Sequence, residues 1–266
     1  MKPWKRRLIL VLMLIVLLFP LLPLLLWAFA YRWDFPALLP QFDLWAWSEL
    51  AGEKIRSATL SSLGLSVSVV LLALFLSIPP AKVLGSHSFR GRNAIRLLLL
   101  IPTFIPQISV VFGMQYVFRQ LGVYSTVPGV ILAQLVFQVP YLTLLLSAVF
   151  GARVAELERQ ARCLGIGAIQ TWSRVILPAV RPGLTVSAVF SFIGSWSNYL
   201  LTAVIGPPSL KTLPVLLFPM MSSGNNSYPL IAVITLLYVA PVFVFLIFSS
   251  QLIARSGVKP QQGGVL

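Results

Sequence analysis

Side chains able to make or break bonds are scarce in this 266-residue chain, and the charged ones crowd into one place. The run RVAELERQARCLGIGAIQTWSRVILPAVRPG, residues 153–183, holds five arginines and two of the six acidic residues. His87 is the single histidine and Cys163 the single cysteine. That excludes a histidine pair as metal ligands or proton relay, a thiolate zinc site and a disulfide framework. A structural role is the reading for both, and no metal is expected. No Gly-x-x-x-x-Gly-Lys-Ser/Thr phosphate loop occurs, and the chain contains no Gly-Lys pair at all, so it does not bind ATP by that route. Hydrolysis or group transfer would need paired carboxylates or a Ser–His arrangement at the reacting depth. The charged run is therefore read as a binding device.

Read as a helix beginning near Arg153, the run places Val154, Leu157, Ala161, Leu164 and Ala168 at steps of three and four on one apolar face. Glu156, Glu158, Arg159 and Arg162 point elsewhere. Gly165 and Gly167 follow, and a glycine ends a helix by taking the left-handed backbone conformation. A second short helix over 168–176 is expected to stop at Leu177-Pro178, with Arg181-Pro182-Gly183 leading onward. A helix, a glycine hinge and a second helix fit two roles. One is an interfacial helix whose arginines meet lipid phosphates. The other is a helix docked in another protein's groove.

The surroundings of this run are greasy. The chain is 58% hydrophobic and 10% charged, with a formal charge of +14 and a mean hydropathy of +0.91. Soluble domains carry roughly 25% charged residues, so the solvent is partly lipid. Six stretches near 8–30, 58–81, 97–118, 129–150, 183–205 and 229–253 lack Asp, Glu, Lys and Arg and are long enough to cross a bilayer. Pro20, Pro23, Pro106, Pro140 and Pro241 fall inside them, as lipid-buried helices tolerate. The first stretch follows a basic Lys2, Lys5, Arg6, Arg7 cluster and ends at Ala28-Phe29-Ala30, the form of a signal-peptide cleavage site. Its apolar run exceeds a typical signal core, and it is read as an uncleaved anchor. The expectation is an all-α membrane protein with six transmembrane helices.

Fifteen of the twenty basic residues fall in the two termini, the 82–96 loop and the 153–183 run, and five in the alternate loops. Positive charge stays on the cytoplasmic side, which places both termini and the charged run in the cytosol (N-in, C-in). The distribution accounts for the net charge without nucleic acid. The outward 31–57 loop carries four of the six acids and three tryptophans and is read as a surface-lying segment. The 206–228 loop has an apolar centre too short to cross, which either re-enters the bilayer or lies across a mouth.

The spacing Ala161, three residues, Gly165, nine residues, Val175-Ile176-Leu177-Pro178 resembles the EAA loop of ABC-importer permeases, usually Glu-Ala-Ala-x3-Gly-x9-Ile-x-Leu-Pro. Arg159-Gln160-Ala161 stands where Glu-Ala-Ala is usual, and Val175 where Ile is usual. In the family that glutamate helps tie the loop to the ATPase; Glu156 or Glu158 is the candidate substitute here. The segments 57–84, 97–113 and 190–218 are similar to family spans, so the likeness covers roughly 57–255.

The resemblance implies a type I ABC importer-like permease fold in the bacterial inner membrane. Residues 1–56 form a peripheral helix and outward loop, 57–255 a five-helix core with coupling loop 151–182, and 256–266 a cytoplasmic tail. Partners implied are a cytosolic ABC ATPase dimer that binds the ATP, a second permease (the same or a different chain) and an extracytoplasmic substrate-binding protein. The coupling loop would use Val154, Glu156, Leu157, Glu158, Arg159, Ala161, Leu164, Gly165, Gly167, Val175, Leu177 and Pro178. Trp196, Asn198 and Tyr199, on the span that lines the family's cavity, are path candidates, with Gln107 and Gln115. The glutamines, including Gln134 and Gln138, equally suit interhelical hydrogen bonds. Segments 97–113 and 206–218 are similar to polyamine, thiamine and ferric-iron permeases, while 196–200 and 256–260 are similar to carbohydrate permeases. An ion-coupled secondary transporter is the rival; the absence of ionisable groups within the spans argues against proton coupling.

Overall fold

The computed structural model describes residues 21–33, 39–222 and 227–255, together with residues 4, 7, 12, 13, 15, 16, 19 and 37. Most of the expected first span before residue 21, part of the N-terminal basic cluster and the 256–266 tail lie outside the described residues. The first described run of helix is α1, Leu21–Ala28. It leads into a hairpin of β1, Ala30–Arg32, and β2, Gln41–Phe42. A short helix α2, Trp45–Ser48, and a 3-10 turn, Glu49–Ala51, follow in the loop expected to lie on the surface. Trp47 Nε1 donates to the Ala28 carbonyl at 2.7 Å, folding the segment back on α1.

The bundle is built around α3, Glu53–Ser86, a 34-residue helix, and α6, Val127–Val149. Ser62, Ser66, Ala73, Ser77 and Ala81 are buried along α3. Such a stripe of small residues lets two helix backbones approach, which is how helices associate where lipid removes the hydrophobic drive. The two helices run parallel, with Ser77 Oγ donating to the Val139 carbonyl at 3.1 Å and Ser86 Oγ to the Phe150 carbonyl at 2.9 Å. At Gly85 a Cβ would stand 2.5 Å from the Ser147 carbonyl oxygen, so only glycine permits this approach. Thr126 caps α6, its hydroxyl accepting from Gly129 N at 3.0 Å.

The expected 97–118 span is two helices, α4, Arg92–Phe104, and α5, Gln107–Gln120, bent by 96°. Pro106 explains the break. Its ring pushes Ile105 out of the helical region, to φ −86° and ψ 130°, and it has no N–H to continue the ladder.

The charged run forms α7, Ala152–Cys163, and then departs from expectation. No second short helix ends at Pro178, and no new span begins at 183. One continuous helix, α8, runs Ala168–Trp196. It contains a π-helical stretch, Thr171–Ile176, immediately before Leu177-Pro178. A proline inside a helix collides with the carbonyl one turn back, and the wider π turn accommodates it. The helix ends at Trp196, and α9, Leu200–Ile205, is a separate short helix. The apolar centre of the next loop is α10, Leu213–Ser222, too short to cross. Its first residue donates from Leu213 N to Ser62 Oγ at 2.8 Å. The last helix is α11, Tyr228–Arg255. Among the described residues four helices (α3, α6, α8 and α11) are long and apolar enough to cross a membrane, or five with α4–α5 as one broken span.

Candidate functional site

At one end of the bundle α7 and the start of α8 form an elbow. Gly165 sits at φ +74°, its N–H donating to the Arg162 carbonyl and the Ile166 N–H to the Ala161 carbonyl. This is the helix stop the glycine was expected to supply. Gly167 differs, with φ −61° as the residue before α8.

The expected single apolar face of the elbow is divided. Val154 and Ala161 are buried, Val154 against Ala81, Leu146, Phe150, Ile176 and Val180. Leu157 and Val175 are half-buried, and Ala168, Leu177 and Pro178 are exposed. Leu164 is 78% exposed and Ile169, which the helical spacing did not single out, 85%. So the stripe anchors the elbow to its own bundle, and only its tip is turned outward.

The acids also divide. Glu158 Oε1 accepts from Lys82 Nζ at 2.9 Å and from Arg162 Nη2 at 2.6 Å, and its side chain is 12% exposed. Burial alone would raise this carboxyl, but the hydrogen bonds from Lys82 and Arg162 outweigh it and hold the pKa below its ordinary value. Lys82 Nζ also lies 5.5 Å from the Trp172 ring centroid, and Trp172 stacks on Phe150 at 6.2 Å. Lys82, Trp172 and Phe150 were invisible as site residues in the sequence, where Lys82 counts as one more topological anchor. Glu156 is outward, bonded to Arg159 at 2.6 Å and Gln160 at 3.2 Å.

A cleft of about 410 Å³ lies between the α4–α5 break, α6 and α8. Gln107 and Asn198, two of the path candidates, line it together with Thr103, Gln138, Tyr141 and Phe190. Irregular backbone at membrane depth is tolerated where it lines such a cavity. Gln138 Nε2 donates to the Ser191 carbonyl at 3.3 Å, and the absent side chain of Gly194 makes room for it. Asn198 Oδ1 also accepts from Leu201 N at 3.0 Å, capping α9.

The other candidates do not meet there. Trp196 is buried, its Nε1 donating to the Tyr238 carbonyl at 2.8 Å and its ring stacked on Phe192 and Tyr238. It holds α8 to α11. Tyr199 stacks on Phe218 at 4.3 Å and borders a separate cleft with Tyr124 and Lys211. Gln115 Nε2 donates to the Tyr124 hydroxyl at 2.9 Å. Hydrogen bonding with Arg119, then with Gln115, holds that hydroxyl below its ordinary pKa. Gln134 is buried between helices, with Ser195 Oγ donating to its Oε1 at 2.6 Å.

A bundle of spanning helices with a charged elbow at one end and a polar cleft inside has the build of a transport permease subunit. The chain belongs to the binding-protein-dependent transport system inner membrane component family, whose model matches residues 81–256. It is similar to the trehalose transport system permease protein SugB of Mycobacterium tuberculosis, 29% identical and covering 76% of each chain. It is also similar to the arabinooligosaccharides transport system permease protein AraQ of Halalkalibacterium halodurans, 26% identical over 71% of this chain and 67% of that one. In fold it matches a chain of a bacterial ABC transporter involved in the import of the acidic polysaccharide alginate. There the TM-score is 0.75 at 17% identity, over 93% of this chain and 94% of that chain. The protein is thus a permease subunit of an ABC importer in the inner membrane.

Proposed function

We propose that this permease carries a neutral, hydroxylated solute of the sugar class. The observation that carries the reading is the cleft itself. Its polar groups are the carboxamides of Gln107, Gln138 and Asn198 and the hydroxyls of Thr103 and Tyr141, beside the Phe137 and Phe190 rings. Among the described residues, no carboxylate, amine, guanidinium or imidazole lines it. A polyamine, thiamine or ferric ion entering such a place would shed water without an opposite charge to meet it. Carboxamides and aromatic faces serve a sugar's hydroxyls and apolar ring faces. The names of the trehalose and arabinooligosaccharide relatives support the same class over the polyamine, thiamine and ferric-iron solutes to which segments 97–113 and 206–218 pointed.

In this reading both termini and the elbow face the cytosol, and residues 57–255 form the transport core. A second permease completes the path, and an extracytoplasmic binding protein delivers the solute. A partner ATPase dimer receives the elbow at residues 153–169. Closure of that dimer moves the elbow, and because α8 continues unbroken from Ala168 to Trp196, the motion reaches the cleft along one helix. ATP shifts the permease between two states only by favouring one by several kcal/mol.

The test is uptake in vesicles holding the assembled complex, with a panel of labelled solutes. Uptake of an oligosaccharide that needs ATP and survives an uncoupler is expected. Uptake of a polyamine instead rejects the substrate class, and uptake abolished by the uncoupler in the presence of ATP restores the ion-coupled rival.

A further inference from the structure

The outward surface of the elbow has a lopsided charge. Arg153, Arg159, Arg162 and Arg174 are all exposed, around the protruding Leu164 and Ile169. Four arginines face two glutamates between 152 and 176, a formal +2. One of those glutamates, Glu158, is turned inward to Lys82 and takes the exposed Arg162 only as its second partner. The remaining acid, Glu156, is already bonded to Arg159 in an exposed pair, and exposed pairs are held weakly. A cleft of about 300 Å³ opens beside Arg159 and Arg162, lined also by Ser86, His87 and Glu158.

We infer that the groove of the partner ATPase that receives this elbow is acidic: carboxylates take Arg159 and Arg162 while an apolar pocket takes Leu164 and Ile169. This polarity is the reverse of a loop that offers a glutamate. The inference rests on the reading of the elbow as the ATPase dock. Its physical basis is complementarity: guanidinium forks pair best with carboxylates, and a partner of the wrong sign is rejected at close range. Such a groove would accept this permease and discriminate against loops that present an acid at the same place.

The experiment measures ATPase binding to the assembled permease complex in nanodiscs of zwitterionic lipid, and in parallel in nanodiscs of anionic lipid, across a salt series. Variants are Arg159→Glu, Arg159→Gln, Leu164→Asp and Ile169→Asp, each checked for an unchanged thermal midpoint. Arg159→Glu should weaken binding about tenfold or more, Arg159→Gln less, and wild-type affinity should fall with salt. A carboxylate-to-lysine change in the ATPase groove should rescue Arg159→Glu. Binding by Arg159→Glu as tight as wild type, with Ile169→Asp still broken, overturns the acidic groove and leaves the dock standing. Normal binding by Ile169→Asp and by Leu164→Asp removes the dock itself. A charge effect seen only in anionic lipid assigns the arginines to headgroups and overturns the inference. If Arg159→Glu lowers the thermal midpoint, Arg159→Gln with the salt series decides: salt-independent wild-type affinity and unweakened binding by Arg159→Gln overturn the inference.

Discussion

Lys82, near the end of the 34-residue helix α3, places its ammonium 2.9 Å from the carboxylate of Glu158 on the elbow. The two residues are 76 apart in sequence. Their bond ties α7 to α3, while the Phe150–Trp172 stack ties the start of α8 to the end of α6. The elbow is thus held from two sides.

Glu158→Gln should leave Lys82 and Arg162 without their carboxylate. The cost is about 1–3 kcal/mol, towards the lower end because Lys82 is 24% exposed and partly screened. Thermal denaturation of the purified complex reads the loss. The informative measurement is the ratio of solute moved to ATP hydrolysed, which should fall with assembly preserved; an unchanged ratio makes the bond merely structural.

The same bond has a pH signature. Glu158 is held below its ordinary pKa in the folded protein, so the unfolded chain binds its proton more readily. Its stabilisation is fully present above the ordinary carboxylate value of about 4.3 and is lost as pH falls through the folded value. The difference in thermal midpoint between wild type and Glu158→Gln should be constant near neutrality and shrink towards acid. A gap that widens on acidification contradicts the assignment.

Gly194→Ala would put a Cβ 2.5 Å from Gln138 Nε2. The carboxamide is the far end of a flexible side chain, so it should swing away and surrender its bond to the Ser191 carbonyl. Assembly should survive. Affinity for the solute should drop roughly three- to tenfold, the worth of one hydrogen bond of about 0.5–1.5 kcal/mol. Uptake kinetics with unaltered ATPase binding check it.

Gly165 and Gly167 should respond differently to alanine. At Gly165 the φ of +74° penalises any Cβ, though nothing crowds it, and about 1 kcal/mol of elbow stability should go. Gly167→Ala, at φ −61° in open space, should be neutral. Limited proteolysis at the elbow distinguishes the pair, and equal protection in both variants would be the contrary result.

Much of this architecture is written in local order. Lipid forces every spanning backbone into helix, so apolar length alone located α3, α6 and α11 within a few residues. Gly165 announced the end of α7 because a left-handed residue at a helix stop is nearly always glycine. The proline cues behaved unequally. Pro106 breaks a span, whereas Pro178 and Pro182 ride inside α8, because a π turn absorbs the first clash. Sequence pattern cannot distinguish these outcomes, since whether a helix resumes depends on what its far half packs against.

The sequence by itself determined a membrane bundle, its charged elbow and the absence of a phosphate loop, all consequences of composition and short-range spacing. Only the tertiary structure decided which groups meet. It turned Glu158 inward to Lys82, buried Trp196 against Tyr238, and brought Gln107, Gln138 and Asn198 to one cleft. The physical reason is that a polar side chain in a lipid-embedded bundle takes whichever partner helix packing puts within about 3 Å. Those partners lie tens of residues away along the chain.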